Sequence, residues 1–117
     1  MHATTVAIDL AKDVFELAFA DAAGHITERK HLTRRAFAHC LENRRPLAVV
    51  MEACGSAHYW ARRFAAQGHA VQLLPARDVR PYVRRNKTDR ADAAGLLEAA
   101  RCGQIDAVPV KSPRSKA

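Results

Sequence analysis

Two runs of apolar residues dominate this chain, and each of them ends in an acid. Residues 6–8 lead into Asp9, and residues 47–51 lead into Glu52. Runs that stay apolar without alternation are typical of strands covered on both faces, as in the centre of an α/β sheet. The chain is therefore predicted to form a sheet with helices on both sides.

The spacing of the other apolar residues completes this fold prediction. Five strands are predicted, at residues 4–10, 14–20, 25–31, 47–53 and 70–74. Helices are predicted from an N-cap at Thr33 to Asn43, from an N-cap at Ser56 to Gln67, and from the segment 86–93 to Cys102, with a short basic helical piece after Pro75. The order βββαβαβα indicates a mixed five-stranded α/β sheet, in which the first three strands form an antiparallel meander and the third lies at the edge.

Size and composition indicate one globular domain. The chain has 117 residues, of which 49% are apolar and 26% are charged. Residues 1–106 are expected to form the domain, and residues 107–117, rich in Pro, Ser and Lys, a linker to a C-terminal domain that this chain lacks. No apolar stretch is long enough to span a bilayer and no export signal is recognisable, so we expect no membrane partner and a cytoplasmic location. The three cysteines, without zinc-site spacing, are predicted to be reduced and partly buried: Cys40, Cys54 and Cys102.

The net charge of +7 is concentrated in one segment, residues 77–90, which has six bases and two acids. Charge runs are usually solvated faces, but an arginine cluster favours a polyanionic partner because guanidinium groups pair with phosphate oxygens. Nucleic acid is the expected partner, and the candidate phosphate-binding residues here are Arg80, Arg84, Arg85, Lys87 and Arg90.

Four acids need an explanation, because an unpaired carboxylate is costly to bury. Taken singly, Asp9 could pair with Lys12, and Glu52 could reach solvent at the sheet edge. Asp89 and Asp92 could cap the last helix, or could project together from one helical face toward the sheet.

Taken together, the four acids suggest a metal site. If the first and fourth strands are neighbours, Asp9 and Glu52 meet, and the last helix can bring Asp92, and Asp89 with it, opposite them. Converging carboxylates repel one another unless a cation is bound, and oxygen ligands select Mg²⁺ or Mn²⁺. Two such ions can hold a phosphodiester by its attacking and leaving oxygens.

Three motifs also resemble a known family. AIDLAK around Asp9, VVMEACG around Glu52 and NKTDRADA, which contains Asp89 and Asp92, resemble the N-terminal RuvC-like domain of the DEDD transposases of bacterial insertion sequences, relatives of the Piv-type DNA invertases. The similarity runs over residues 6–109. It implies a ribonuclease-H-like fold and an acidic tetrad of Asp9, Glu52, Asp89 and Asp92 that binds Mg²⁺ or Mn²⁺, with Lys12 facing the site.

The resemblance also implies an activity and partners. Family members act in DNA cleavage and strand exchange, and the family implies DNA as substrate, a structured guide RNA as a further partner, and a homo-oligomer of the full-length protein. Two departures, Ala7 for the usual Gly and Cys54 for the usual Thr, remove no ligand. The family's nucleophilic serine belongs to a second domain, and the serines in this sequence do not match its motif: Ser56, Ser112 and Ser115.

Two functions are therefore compatible with the sequence. The first is the metal-binding catalytic domain of a transposase in truncated form. The second is a non-catalytic module that binds DNA or structured RNA, in which the acids only cap and pair. A Ser or Cys hydrolase is disfavoured, because Ser56 and His58 lack a third member of a catalytic triad.

Overall fold

The structure is a computed structural model that describes residues 3–10, 14–83, 89–102 and 104–111; of residues 83 and 89–92 it describes only the backbone. The elements follow one another as β1 (Thr5–Leu10), β2 (Val14–Ala20), β3 (Ile26–Thr33), α1 (Arg34–Ala38), β4 (Ala48–Glu52), α2 (Ala57–Ala66), β5 (Ala70–Leu74), α3 (Ala76–Val83) and α4 (Asp89–Cys102).

The five strands form one mixed sheet in the order β3-β2-β1-β4-β5. β1, β2 and β3 pair antiparallel, whereas β1, β4 and β5 pair parallel. The predicted meander and the edge position of its third strand are confirmed. The structure also places β1 directly beside β4, which is the neighbour relation that the metal-site hypothesis requires.

Each face of the sheet is covered by its own pair of helices. Val6 and Ile8 of β1 are buried in a cluster with residues of α1 and α2, whereas Ala7, between them, is buried with residues of α3 and α4. Because successive side chains of a strand point to opposite faces, a central strand covered on both sides must be apolar throughout. This is the reason for the uninterrupted runs in β1 and β4.

Aromatic rings fill the core between the sheet and α1 and α2. The Phe37 ring stacks on Phe15 with centroids 4.2 Å apart, and it meets Trp60 at 4.6 Å and Phe64 at 5.4 Å in edge contacts. Phe37 is the one buried residue of the five-residue helix α1. The position of α1 therefore depends largely on a single side chain.

Helix α1 is shorter than the sequence predicted. Thr33 is the N-cap, and its hydroxyl accepts a hydrogen bond from the Ala36 amide, but the helix ends at Ala38 instead of Asn43. The Ala38 carbonyl accepts a hydrogen bond from Arg63 Nε of α2, 3.1 Å away. After Ala38 the chain continues in turns to Asn43, which has a positive φ of 63°. The amides of Cys40 and Glu42 bond to carbonyls three residues back, so tighter turns replace the next turn of the helix.

Other local predictions are confirmed in part. Gly68, with φ of +96°, follows the end of α2 as predicted. Ser56 precedes α2, but its side chain makes no capping hydrogen bond, because its backbone is already helical; its Oγ lies 3.7 Å from Cys54 Sγ. Cys40 is partly buried, and burial raises the pKa of its thiol to about 11. The prediction that Cys54 and Cys102 are partly buried was wrong, since both are exposed.

His69 ties two loops to the core, although its sequence context gave no indication of this. Its ring is buried, Nδ1 accepts a hydrogen bond from the Leu47 amide at 3.0 Å, and Nε2 lies 3.2 Å from the Leu41 carbonyl oxygen. One neutral tautomer, protonated at Nε2, satisfies both contacts. His69 therefore acts as a structural residue.

The segment 104–111 lies against the domain. The Val108 amide donates to the Leu73 carbonyl at 2.7 Å and forms an isolated antiparallel bridge beside β5. Farther on, the Lys111 amide donates to His58 Nδ1, and its carbonyl accepts from Arg62. Residues 112–117 lie outside the described residues, so the assignment of 107–117 as a linker stays a prediction.

The turn between β2 and β3 is organised by Asp21. Its Oδ1 accepts hydrogen bonds from the amides of Ala23 and His25, both at 3.0 Å, while the carboxylate is buried. The hydrogen bond from His25 is the largest of several effects that hold the pKa of the Asp21 carboxyl below its ordinary value. Charged acceptors form stronger hydrogen bonds than neutral ones, so ionised Asp21 stabilises this turn.

We expect Asp21→Asn to lower the melting temperature at pH 7 and to have a progressively smaller effect as the pH falls below about 4. The pKa of Asp21 is lower in the folded than in the unfolded chain. Its contribution to the stability of the fold is therefore complete above the unfolded pKa and is lost as the pH falls through the folded pKa. Thermal melting followed by circular dichroism from pH 2 to 7 measures this difference. The exposed Asp106→Asn serves as the control and should show no such trend; a difference between wild type and Asp21→Asn that is constant with pH would contradict the prediction.

Candidate functional site

Asp9 is the next-to-last residue of β1 and Glu52 the last residue of β4, at the carboxyl ends of two neighbouring strands. In the parallel pair of β1 and β4, Ala7 is opposite Val50 and Ile8 is opposite Met51. Asp9 and Glu52 are the next residue of each strand. Neighbouring strands lie about 4.8 Å apart, so the two acids leave the sheet side by side.

Both acids belong to the face of the sheet that α3 and α4 cover. Ala7 and Val50, two residues before them, are buried in the cluster with Leu96 and Leu97 of α4. Residues two apart in a strand share a face. Asp9 is partly exposed and Glu52 is exposed, so this pair is open to solvent at the strand ends rather than sealed in the core.

Helix α4 starts at this same edge. At its far end, the Arg101 guanidinium packs on Gly24, in the turn beyond the amino end of β1. Gly24 has a φ of +89°, which is strained for other residues, and a Cβ there would lie 2.1 Å from Arg101 Cζ, so the arginine would have to move. The 14 residues of α4 extend about 21 Å, and the 6 residues of β1 about 20 Å. The start of α4 is therefore beside the carboxyl ends of β1 and β4.

Asp89 and Asp92 both belong to the first turn and a half of α4. Their side chains lie outside the described residues. Ala93 and Leu96, farther along the helix, are buried against the sheet.

A further buried acid, Glu16, adjoins this pair and was missed by the sequence analysis. Glu16 is the Cα partner of Asp9 in the pairing of β1 with β2, and its side chain contacts His31 Nδ1 of β3. It has a relative exposure of 8%. The sequence contained the information needed to find Glu16. Its neighbours Phe15 and Leu17 are buried on the other face of the sheet, and a short hairpin brings Glu16 opposite Asp9.

The predicted phosphate-binding residues are described only in part. Arg80 is exposed on α3, where its neighbour Val79 is buried against the sheet. Arg90 is described only as backbone within α4. The other candidates lie outside the described residues: Lys12, Arg84, Arg85 and Lys87.

The donor atoms of this edge suit a hard cation. Asp9 and Glu52 offer carboxylate oxygens, which are the ligands that Mg²⁺ and Mn²⁺ prefer. Within the described ranges, no three His, Cys, Asp or Glu side chains are grouped as a metal would require. A complete site at this edge would therefore need Asp89 or Asp92 from the start of α4.

In the part of the chain described, no helix is both long and apolar enough to cross a membrane.

Solved structures identify the class of fold. The structure of Thermus thermophilus RuvC in complex with a Holliday junction substrate superposes with a TM-score of 0.64 at 12% identity, covering 92% of this chain and 100% of that chain. A second Thermus thermophilus RuvC structure superposes with a TM-score of 0.61 at 14% identity, covering 89% of this chain and 99% of that one. The sheet and its helices therefore have the RuvC-like, ribonuclease-H-like fold, as predicted.

Sequence comparison identifies the family. The model for DEDD transposases of the IS110 type, described as "Transposase", matches residues 6–117. This chain belongs to the DEDD transposase family.

Two curated relatives agree with this family. A Pseudomonas aeruginosa protein named "Probable family 20 transposase" is 40% identical over 117 residues, which are 100% of this chain and 35% of that protein. The Coxiella burnetii transposase for insertion sequence element IS1111A is 40% identical over 93 residues, which are 80% of this chain and 26% of that protein. The chain thus spans about a third or less of the length of these relatives.

Proposed function

We propose that this chain is the metal-dependent catalytic domain of a transposase and acts in DNA cleavage and strand exchange. The observation that carries the proposal is the adjacency of Asp9 and Glu52 at the ends of two paired parallel strands, beside the start of α4. Asp89 and Asp92 complete the acidic set. Membership of the DEDD transposase family supports it.

Asp9 and Glu52 would take part in metal binding in different ways. Asp9 is fixed by a strand that is paired on both sides, whereas exposed Glu52 reaches outward to a ligand that arrives from solvent. Carboxylates so close together repel one another, and binding of Mg²⁺ or Mn²⁺ would relieve that repulsion. When bound, such ions stabilise the charge that develops on the attacking and leaving oxygens of a phosphodiester.

The basic residues orient the nucleic acid. Arg80 is on α3, which follows the carboxyl end of β5 and so begins at the same edge as the acids. Phosphate contacts from arginine and lysine fix the position of DNA without reading its sequence. The residues assigned to this task are Lys12, Arg80, Arg84, Arg85, Lys87 and Arg90. The DNA substrate, a structured guide RNA, a homo-oligomeric full-length protein and a cytoplasmic location belong to the same proposal.

Cleavage of a Holliday junction tests the proposal, because the RuvC structure of the same fold holds that substrate. With Mn²⁺ we expect the wild-type chain to nick a labelled junction, and Glu52→Gln to lower the rate by more than about tenfold, since even residues that only orient metal ligands commonly change activity by about 10–100-fold. The reaction is followed on denaturing gels, with junction binding measured in parallel.

Glu98→Gln provides the matched control. Glu98 is an exposed glutamate in the second half of α4, lines a pocket with Gly24 and Arg101, and so lies toward the opposite edge of the sheet. It should cleave like wild type. Equal cleavage by wild type and Glu52→Gln would contradict the proposal, and junction binding without cleavage by the wild type would favour the non-catalytic module instead.

A further inference from the structure

A groove between α1 and α2 lies on the face of the sheet opposite the acids. Its volume is about 620 Å³, and we call it the Tyr59 groove; it is lined by Arg34, Arg35, Ala38, His39, Tyr59 and Trp60. Phe37 and Trp60, beneath it, pack in the cluster of Ile8 and Met51. Asp9 and Glu52 belong to the other face. This groove is therefore separate from the proposed metal site.

The two helices that carry the Tyr59 groove are joined to each other, although Arg34, Arg35 and Tyr59 in its lining are exposed. Trp60 is 3% exposed and meets the Phe37 ring edge-on at 4.6 Å, which joins α2 to α1 through the core. Arg63 of α2 donates to the Ala38 carbonyl and joins the same helices at the surface. A ligand would thus meet a preformed surface, which reduces the ordering cost of binding.

Tyr59 presents an aromatic ring to solvent. It is 52% exposed, and in the part of the chain described only it and Val110 stand out as exposed large apolar residues. Its ring contacts Trp60 with centroids 5.0 Å apart at an interplanar angle of 81°, which restricts its orientation. Exposed aromatic rings held in place at a protein surface are the platforms on which unpaired bases stack.

The surroundings of Tyr59 are positively charged. Arg34 and Arg35 are both exposed at the start of α1, and the Arg34 guanidinium lies over the Phe15 ring at 5.6 Å. His39, which also lines the groove, contacts the Glu42 carboxylate at 2.7 Å. Two arginines beside an aromatic ring match a phosphate backbone with a base attached.

We propose that the Tyr59 groove binds a single-stranded nucleic acid, with one base stacked on Tyr59 and neighbouring phosphates on Arg34 and Arg35. A duplex fits less well, because its bases are already stacked on one another and present no free face. The proposal goes beyond the catalytic function, since it requires no metal and uses the opposite side of the sheet.

Binding to short labelled strands tests this proposal. Fluorescence anisotropy would use oligothymidylate and oligouridylate of about ten nucleotides, with EDTA present so that no metal ion joins a strand to the acids, and with Arg80→Ala in the background to weaken binding at the catalytic edge. We expect Tyr59→Ala to weaken binding about tenfold or more and Tyr59→Phe, which keeps the ring, to stay within about twofold of wild type. Arg35→Ala should weaken binding and reduce the slope of log K against log salt by about 0.7.

Arg45→Ala is the matched control, because Arg45 is exposed but lines a different pocket, with Ala3 and Leu47. It should bind like wild type, and melting curves should show that every variant is folded. Stronger binding of one oligonucleotide would identify RNA or DNA as the strand, and both results support the proposal. Asp9→Asn should bind the single strands as tightly as wild type does. The test of the Tyr59 groove would therefore stand even if the proposed metal site were wrong.

Three outcomes would overturn the proposal. The first is a wild-type chain that binds no single strand, and the second is Tyr59→Ala binding as tightly as wild type. The third is an equal loss of single-strand and duplex binding in Tyr59→Ala, which would point to general charge attraction. If sedimentation showed that Tyr59→Ala disrupts self-association while strand binding persists, the groove would be an interface between copies of the chain instead.

Discussion

Replacing Asp9 with Asn is expected to abolish the thermal stabilisation that Mg²⁺ or Mn²⁺ gives to the wild-type chain. A ligand that binds only the folded state stabilises it by about 2.7 kcal/mol at a concentration one hundred times its dissociation constant. For a domain of this size, that corresponds to a rise in melting temperature on the order of 10 °C. Asparagine has the shape of aspartate but no charge, so the loss of stabilisation would report on the carboxylate itself.

The measurement compares melting curves in metal and in chelator. Glu98→Gln is the matched control, because Glu98 is exposed and lines a pocket with Gly24 and Arg101, toward the opposite edge of the sheet. It should keep the full shift. An Asp9→Asn variant that is stabilised as strongly as wild type would exclude Asp9 as a ligand, and a shift lost in both variants would indicate nonspecific binding of the cation to surface carboxylates.

Replacing Phe37 with Ala is expected to lower the free energy of unfolding by about 3–5 kcal/mol, the usual cost of removing a buried phenylalanine. Phe37 is 0% exposed and contacts three other rings. It is also the one buried residue of α1, which is too short to be stable without packing. Urea unfolding, followed by the fluorescence of Trp60, the only tryptophan in the sequence, measures the change.

Phe37→Leu distinguishes a partial loss of side-chain volume from removal of nearly the whole side chain. Leucine keeps an apolar group in the space, so this substitution should lower the free energy of unfolding by less than half as much as Phe37→Ala. The slope of unfolding free energy against urea should be the same for all variants if the folded and unfolded states keep their compactness. A cost below about 1 kcal/mol for Phe37→Ala would show that the surrounding rings collapse into the space, and that α1 is held by other contacts.

The strands were predictable from the sequence because their pattern is local. β2 and β5 have the predicted bounds, and the other three differ from them by one or two residues. The adjacency of Asp9 and Glu52 was predictable as well, since a buried run that ends in an acid occurs in each of two strands, and this order of elements places those strands side by side.

The deviations arise from contacts between residues distant in sequence. Phe37 and Leu41 have helical spacing, but α1 ends at Ala38, whose carbonyl accepts a hydrogen bond from Arg63 of α2. The structural role of His69 likewise depends on the loops at Leu41 and Leu47, which only the fold brings to it. Glu16 was missed because its relevance to the site depends on its pairing with Asp9 in the neighbouring strand. Whether Asp89 and Asp92 ligate metal or cap α4 stays a prediction.

The bridge between Val108 and Leu73 has a consequence for the behaviour of this domain in solution. β5 is an outer strand, and an uncovered outer strand is a template on which another chain can add its own strand. Here the segment after α4 pairs with part of the outer edge of β5. At the opposite edge of the sheet, β3 carries the charged side chains of Glu28, Arg29 and Lys30. The domain thus has protection against strand addition on both sides, by its own backbone on one and by charged side chains on the other.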